Sequence, residues 1–408
     1  MKKLIKKTIL LFALLILYSC VEPYALQTNT FEDYLVVEAT ITNELKQQEV
    51  KLSRTYKLEQ GKPTLVQGAA VTISDNQGNN YSFAEIGGRY LSNTAFKAFP
   101  GRTYQLKITT SNGKKYSSIP ETLTSDNPIQ SLTPEVVTRS DGETGVEMTI
   151  RCFDPTNSSK YYRYEFEETY KVISPLWNGV RPDFIVTPPL PDVPALPVLI
   201  QIPYEAKTCY SSIKSNKIIL NSTNNQSEDR VDFPVQFVKK RDYKLANRYS
   251  INVVQYVENL AAHTYYKTLN GISGNNGVLT QSQPGFIYGN LSCESNSEEK
   301  VIGYFEVASF STKRLFINYT DVFPGQILLE YPFKCSKGRD VASNPNQKQN
   351  FKDYTFCPTC DGEYLVAAFN AGTISYFTNI SLRFEIYPIQ CGDCTSFSSN
   401  IRPSFWID

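Results

Sequence analysis

The sequence predicts a mainly β protein: an N-terminal immunoglobulin-like or transthyretin-like sandwich, a larger β-rich domain with one short helix, and a cysteine-rich β tail. Three observations predict it. Apolar and polar residues alternate with period two along many short stretches, as they do in half-buried strands. Tyr and Phe are abundant, at 27 and 23 of 408 residues, and aromatic side chains suit a pleated surface. Only one stretch carries helix signals at both of its ends.

Residues 1–19 read as an export signal. Met1 to Lys7 hold four lysines and no acid, and an apolar run from Thr8 to Leu17 follows. That run is too short to cross a hydrocarbon core, which needs about 20 residues. Leu17, Tyr18, Ser19 and Cys20 resemble a bacterial lipobox, in which the cysteine is acylated and becomes the first residue. The alternative is an ordinary secretory signal with an incidental Cys20. On the lipobox reading, residues 20–33 are lipid anchor and tether. Each buried CH₂ contributes ~0.8 kcal/mol, so three acyl chains would hold the body on its bilayer where one would not.

Residues 34–122 are the predicted sandwich. Tyr34 to Ile41 is β-rich and apolar on both faces, and Val50, Leu52, Tyr56 and Leu58 form a looser alternation. Ala70 to Ser74 leads into Asp75 to Gly78, a turn that lacks the further acids a calcium loop needs. Tyr104, Leu106 and Ile108 alternate cleanly up to Asn112-Gly113, a pair that favours positive φ and marks a hairpin. Pro120 to Pro134, rich in Thr, Ser, Pro and Asn, marks the boundary.

The second domain is expected over residues 123–323. Val146, Met148, Ile150 and Cys152 share one face, and Tyr161 to Tyr170 is a further strand with Glu165, Glu167 and Glu168 as solvated charges. Residues 174–204 hold eight of the 23 prolines with Trp177 and Phe184. At that density they exclude an internal strand, and leave either a stiff interaction arm or an insertion packed on its own domain. Strands return at Lys217 to Leu220, Val231 to Val238 and Tyr249 to Tyr256. The helix runs from about Asn259, its cap, to Asn270, with Gly271 as its stop. Phe286 to Tyr288, Val301 to Val307 and Arg314 to Tyr319 are further strands. Residues 324–408 form a cysteine-rich β region packed on the second domain.

Net charge is +1, from 41 basic and 40 acidic residues. No field of one sign exists to attract nucleic acid or an anionic lipid surface, so nucleic acid is not expected as a partner. Beyond Cys20, eight cysteines remain: Cys152, Cys209, Cys293, Cys335, Cys357, Cys360, Cys391 and Cys394. An even count in an exported chain favours disulfides. Eight cysteines allow on the order of a hundred pairings, so connectivity stays open. Cys357, Cys360, Cys391 and Cys394 form two Cys-x-x-Cys knuckles. Cross-linked disulfides are preferred there over a four-thiolate zinc site, whose spacer is ordinarily shorter, and over thiol redox chemistry, which wants a helix N-terminus.

Parts for catalysis are scarce. His263 is the only histidine, so no multi-histidine metal set can form. Gly271 to Gly274 misses the nucleophile elbow because Asn275 stands where its glycine would be. Nothing selects a pair of carboxylates for glycoside hydrolysis. No phosphate loop or cofactor motif occurs, and the expectation is no cofactor and no enzymatic activity.

Several stretches together resemble one family. They are Cys20 to Tyr24, Leu35 to Asn43, Val50 to Tyr56, Gly68 to Ile73, Gly101 to Leu106, Ser227 to Arg230, Tyr249 to Tyr256, Ile302 to Phe305 and Pro403 to Trp406. The pattern resembles a Bacteroidota lipoprotein family of unknown function, domain of unknown function 4249, whose members are typically encoded beside SusC-type TonB-dependent receptors. No established site residue comes with the resemblance. In such bacteria, acids soon after the lipid cysteine, as at Glu22, Glu32 and Asp33, resemble a surface-export signal.

The functional expectation is an outer-membrane, surface-exposed lipoprotein acting as a non-enzymatic accessory subunit of a β-barrel, foremost a TonB-dependent nutrient importer. Trp177, Phe184 and Trp406 are the candidate partner contacts, and the bilayer is a second partner through Cys20. The alternatives are a free-standing adhesin or glycan-binding lipoprotein and a subunit of barrel-assembly or secretion machinery.

Overall fold

The computed structural model describes residues 33–56, 61–183, 198–274, 286–325, 329–335, 355–356, 368–380 and 383–408. The predicted signal, Cys20 and most of the tether lie outside these residues, as do Phe184, Cys357 and Cys360. The chain is mainly β. Its first part supplies β1 (Leu35–Thr42), β2 (Glu49–Arg54), β3 (Thr64–Leu65), β4 (Ala70–Asp75), β5 (Asn80–Ile86), β6 (Arg89–Ser92), β7 (Thr103–Thr109), β8 (Lys115–Ser118) and β9 (Glu121–Thr122). The middle supplies β10 (Ser131–Thr138), β11 (Thr144–Asp154), β12 (Tyr161–Ile173), β13 (Val180–Asp183), β14 (Val198–Gln201), β15 (Thr208–Lys214), β16 (Ile219–Ser222), β17 (Asp229–Lys239) and β18 (Arg248–Glu258). Helix α1 (Leu260–Gly274), β19 (Leu291–Cys293) and β20 (Val301–Asn318) follow, and then β21 (Thr355–Phe356), β22 (Ile374–Ile380) and β23 (Arg383–Pro388).

Alternation in β7 is as the sequence predicts, whereas β1, expected to be apolar on both faces, buries one side more deeply. Leu35, Val37, Ala39 and Ile41 of β1 point inward with Val71 and Ile73 of β4 and Tyr104, Leu106 and Ile108 of β7. Burial of such side chains contributes ~1.5–3 kcal/mol each. Asp75 closes the predicted turn, with its Oδ1 accepting from the Gln77 and Asn79 N–H groups and its Oδ2 held 2.9 Å from Arg102. Gly113 takes the predicted positive φ, at +83°.

The lobe does not end at residue 122. Its core takes in Leu291, Cys293, Val301, Phe305 and Val307, because β20 lies beside β1 and β19 pairs with β8. Two strands predicted around residues 301–319 are one, eighteen residues long. Its first half runs parallel to β1, from Val301 opposite Leu35 to Ala308 opposite Thr42. Its second half runs antiparallel to β18, from Ser309 opposite Val257 to Asn318 opposite Arg248. One strand therefore belongs to both lobes, and hydrogen bonding is continuous from β15 through β20 to β19. Gly303 makes the close approach possible. At φ +142° a Cβ there would stand 2.1 Å from the Val37 carbonyl oxygen, far inside van der Waals contact.

The second lobe packs β10–β11–β17 over β12 and β18 around Met148, Ile150, Val231, Tyr162, Tyr164 and Val253. Pro234 interrupts β17 at an irregularity opposite Met148 and Thr149, where a missing N–H is tolerated. Asn259 caps α1 as predicted, accepting from the Ala262 N–H at 2.8 Å. Gly271 does not stop the helix, which continues to Gly274. Phe286 to Tyr288, predicted as a strand, is irregular, and pairing begins at Leu291.

Candidate functional site

Disulfides form in the C-terminal region, though not between the knuckles. Cys209 of β15 joins Cys394, and Cys335 joins Cys391, with Cα separations of 5.9 and 5.6 Å. Cys391 and Cys394 thus have partners outside the knuckle pair, which removes them from the four-thiolate zinc alternative. Two other disulfide candidates are corrected: Cys152 and Cys293 are free thiols. The cause is topological, since Cys152 sits in the core of the second lobe and Cys293 in that of the first. Burial pushes the Cys152 thiol up to about 12, which leaves it unreactive at neutral pH.

The cross-links brace a cleft between the proline-rich insertion and the cysteine-rich tail. β13 and β14 pair antiparallel, and Val180 packs on Phe369, Tyr376 and Ile386 of the tail. The Leu176 N–H donates to the Cys391 carbonyl at 3.0 Å. The described part of the insertion is therefore packed, on the tail rather than on its own domain. Trp177, Arg181 and Tyr204 line one side of a cavity of about 450 Å³, and Tyr376, Asp393 and Thr395 line the other. Asp393 is 7% exposed. One carboxylate oxygen accepts from the Thr395 N–H at 2.7 Å and from its hydroxyl, and the other accepts from the Tyr204 hydroxyl at 3.2 Å. Burial raises the Tyr204 phenol, and the facing Asp393 carboxylate adds to the rise. Aromatic faces beside a fixed carboxylate suit a polar ring or a partner's side chain held by stacking and hydrogen bonds.

Trp406 is not part of this surface. It is 4% exposed and packs edge-on against Tyr210 and Phe316, at 5.0 and 5.6 Å between ring centres. As a partner contact it is corrected to a core residue that fastens the C-terminus across β15 and β20. Tyr204 and Asp393 were absent from the predicted contacts. The one local signal was an Asp-x-Thr turn at Asp393 inside the second knuckle.

A second polar constellation lies where β12, β18, β20 and α1 meet. Arg163 is buried, with Nε 2.8 Å from Glu258 and an Nη 2.7 Å from Glu306. Its guanidinium lies between the rings of Tyr256 and Tyr266, at 4.3 and 4.5 Å. His263 places Nδ1 3.0 Å from the other oxygen of Glu258. At 8% exposed, His263 belongs to the packing of this cluster. Glu168, expected in solvent, is 1% exposed and accepts from Tyr249 at 2.7 Å and from Lys244 at 2.9 Å. β12 is covered on one face at Arg163 and on the other at Glu168, which its charge pattern alone does not reveal, while Glu165 is exposed as expected. The Arg163 cluster is closed to a substrate, so its chemistry is cohesion between strands.

Among the described residues no helix is long and apolar enough to cross a membrane, and no three His, Cys, Asp or Glu side chains cluster as a metal site. No curated protein matches the chain. A family model described as a domain of unknown function, DUF4249, matches residues 21–314. The match includes the insertion wall of the cleft and stops inside β20, before the cysteine-rich wall. Covering well over half of the sequence, it places this chain in the DUF4249 family.

Proposed function

We propose that this chain is a lipid-anchored accessory subunit of an outer-membrane β-barrel, and that the cleft at Trp177 and Tyr204 holds the barrel's extracellular loops or helps capture its cargo. The lipobox-like Leu17 to Cys20 supports the anchor, and disulfide use supports an oxidising compartment. One observation carries the binding role. Two stretches far apart in sequence, the proline-rich insertion that carries the predicted contact Trp177 and the cysteine-rich tail, converge on one braced cleft where Tyr204 is 48% exposed and Trp177 half-buried. A TonB-dependent importer is the partner the reading favours. Anchoring both proteins in one membrane raises their effective concentration, so a modest interface suffices.

Affinity purification from detergent-solubilised membranes tests it. A barrel protein should co-elute, and a photo-crosslinking residue in place of Trp177 should join it to the chain. If no barrel rises above background, the proposal fails. The aromatic lining also favours a second reading, a free-standing glycan-binding lipoprotein. That protein would retain a defined oligosaccharide when purified alone.

A further inference from the structure

The body carries a second exposed apolar surface, away from the cleft residues and beside the point where the tether enters. Ile119, Leu260 and Tyr288 are 56%, 59% and 72% exposed. With Tyr265, Phe286 and Ile287 they line one open groove between α1 and the β8–β19 edge. Phe286 ties this groove to the start of the folded chain. Its ring lies 5.2 Å from that of Tyr34 and 4.8 Å from that of Tyr288. Lys300 stands over both Tyr34 and Phe286, at 5.7 and 5.4 Å. The nearby acid Glu299 is held by Lys114 and the Tyr116 hydroxyl, so its carboxylate is paired away from the patch.

We infer that this face, centred on Tyr288, Phe286 and Leu260, seats in the headgroup region of the bilayer that holds Cys20. The inference rests on the lipid-anchor reading above. Cys20 to Glu32 can reach at most about 45 Å even when fully extended, so the acylated end tethers the body by the corner at Tyr34. The side chains at that corner are those an interface accepts: tyrosines with an apolar body and a polar tip, aliphatic side chains, and a lysine able to extend toward phosphate. The three acyl chains supply retention. The patch supplies orientation, because a body held only through its acylated end would have nothing to fix the direction of its cleft.

Depth-dependent quenching tests it on the full, acylated chain. Tyr288→Trp and, as a control on β15, Ile213→Trp are reconstituted in phosphatidylethanolamine/phosphatidylglycerol vesicles containing phospholipids brominated along the acyl chain. Intact mass reports acylation in the same samples. The added fluorescence at position 288 should fall by about half or more, while that at position 213 should be unchanged. Both substitutions are at exposed positions, and thermal unfolding checks that the fold is kept. Acylated protein with no quenching at 288, or with equal quenching at both positions, overturns the seat while leaving the anchor intact. That is the result expected if a barrel or another part of this chain covers the patch. Mature protein without acyl mass overturns the anchor and the seat together.

Discussion

Arg163 of β12 and Glu306 of β20 meet 2.7 Å apart with side chains 8% and 1% exposed. Glu258, on the strand between them, closes the other side of the guanidinium at 2.8 Å. Thr40 of β1 also donates to Glu306, at 3.3 Å. Four strands thus share one buried charge cluster at the seam between the lobes.

Removing the cation should cost more than removing a surface pair. Arg163→Met leaves Glu258 and Glu306 buried without compensation, and such changes cost ~3–5 kcal/mol. Arg163→Lys should recover less than half of the loss, because one ammonium cannot reproduce a fork that addresses Glu165, Glu258 and Glu306 at once. Urea unfolding followed by tyrosine fluorescence measures both.

The same cluster predicts a pH dependence. Burial lifts the Glu306 carboxyl, Arg163 opposes the lift, Glu258 adds to it, and the balance stands at about 7 against an ordinary 4.5. Between those values the folded chain holds a proton that the unfolded chain releases. The resulting stability is complete below about pH 4.5 and is lost as pH rises through about 7. From about pH 5 to 8, wild type should therefore lose ~2–3 kcal/mol more than Glu306→Gln. Parallel denaturation curves for the two proteins would overturn this.

At the parallel junction, Gly303→Ala should prevent the lobes from joining. Its Cβ would collide with the Val37 backbone, and Gly289 blocks retreat, since a Cβ at 289 would itself stand 1.5 Å from the Gly303 carbonyl oxygen. A loss above ~4 kcal/mol is expected, read as protease sensitivity of the purified chain.

Thiol chemistry separates the two classes of cysteine. Cys152 should resist iodoacetamide at about pH 8 in the native protein and label at once in denaturant. Cys394→Ser should remove ~3–5 kcal/mol, because the link it breaks spans 185 residues of sequence. Peptide mapping after alkylation checks the first, and thermal unfolding the second.

The two tryptophans should behave oppositely. Trp177→Ala, at the cleft, should lower barrel retention at least about tenfold with little change in melting temperature. Trp406→Ala should cost ~3–5 kcal/mol through the cavity it leaves against Tyr210 and Phe316, and lower retention only as far as folded protein is lost.

Much of this fold can be read locally. Alternation in β7 and the shared face of Val146 to Cys152 in β11 mark the buried side correctly, because neighbours two residues apart share a side of a strand. β1, read as apolar on both faces, buries Leu35, Val37, Ala39 and Ile41 more deeply than the residues between them. The Asn259 cap, the turn at Asp75 and the hairpin at Gly113 are likewise short-range, and each stands where its residues predict. The export signal and the acylated Cys20 remain expectations of the sequence alone, outside the described residues.

Tertiary structure decided what distance along the chain conceals. Leu35 lies opposite Val301, Cys209 bonds Cys394, and the Trp177 and Asp393 walls share a cleft. No local pattern encodes such pairings, since they depend on how the whole chain closes. Period two assigns Arg163 and Glu168 to opposite faces of β12, but it cannot say that both residues are covered. At Arg163 that takes α1 and Glu306 of β20, from far along the sequence, and their contacts tie β12 to the seam between the lobes. Glu168, expected in solvent, is instead buried within the second lobe against Tyr249 and Lys244.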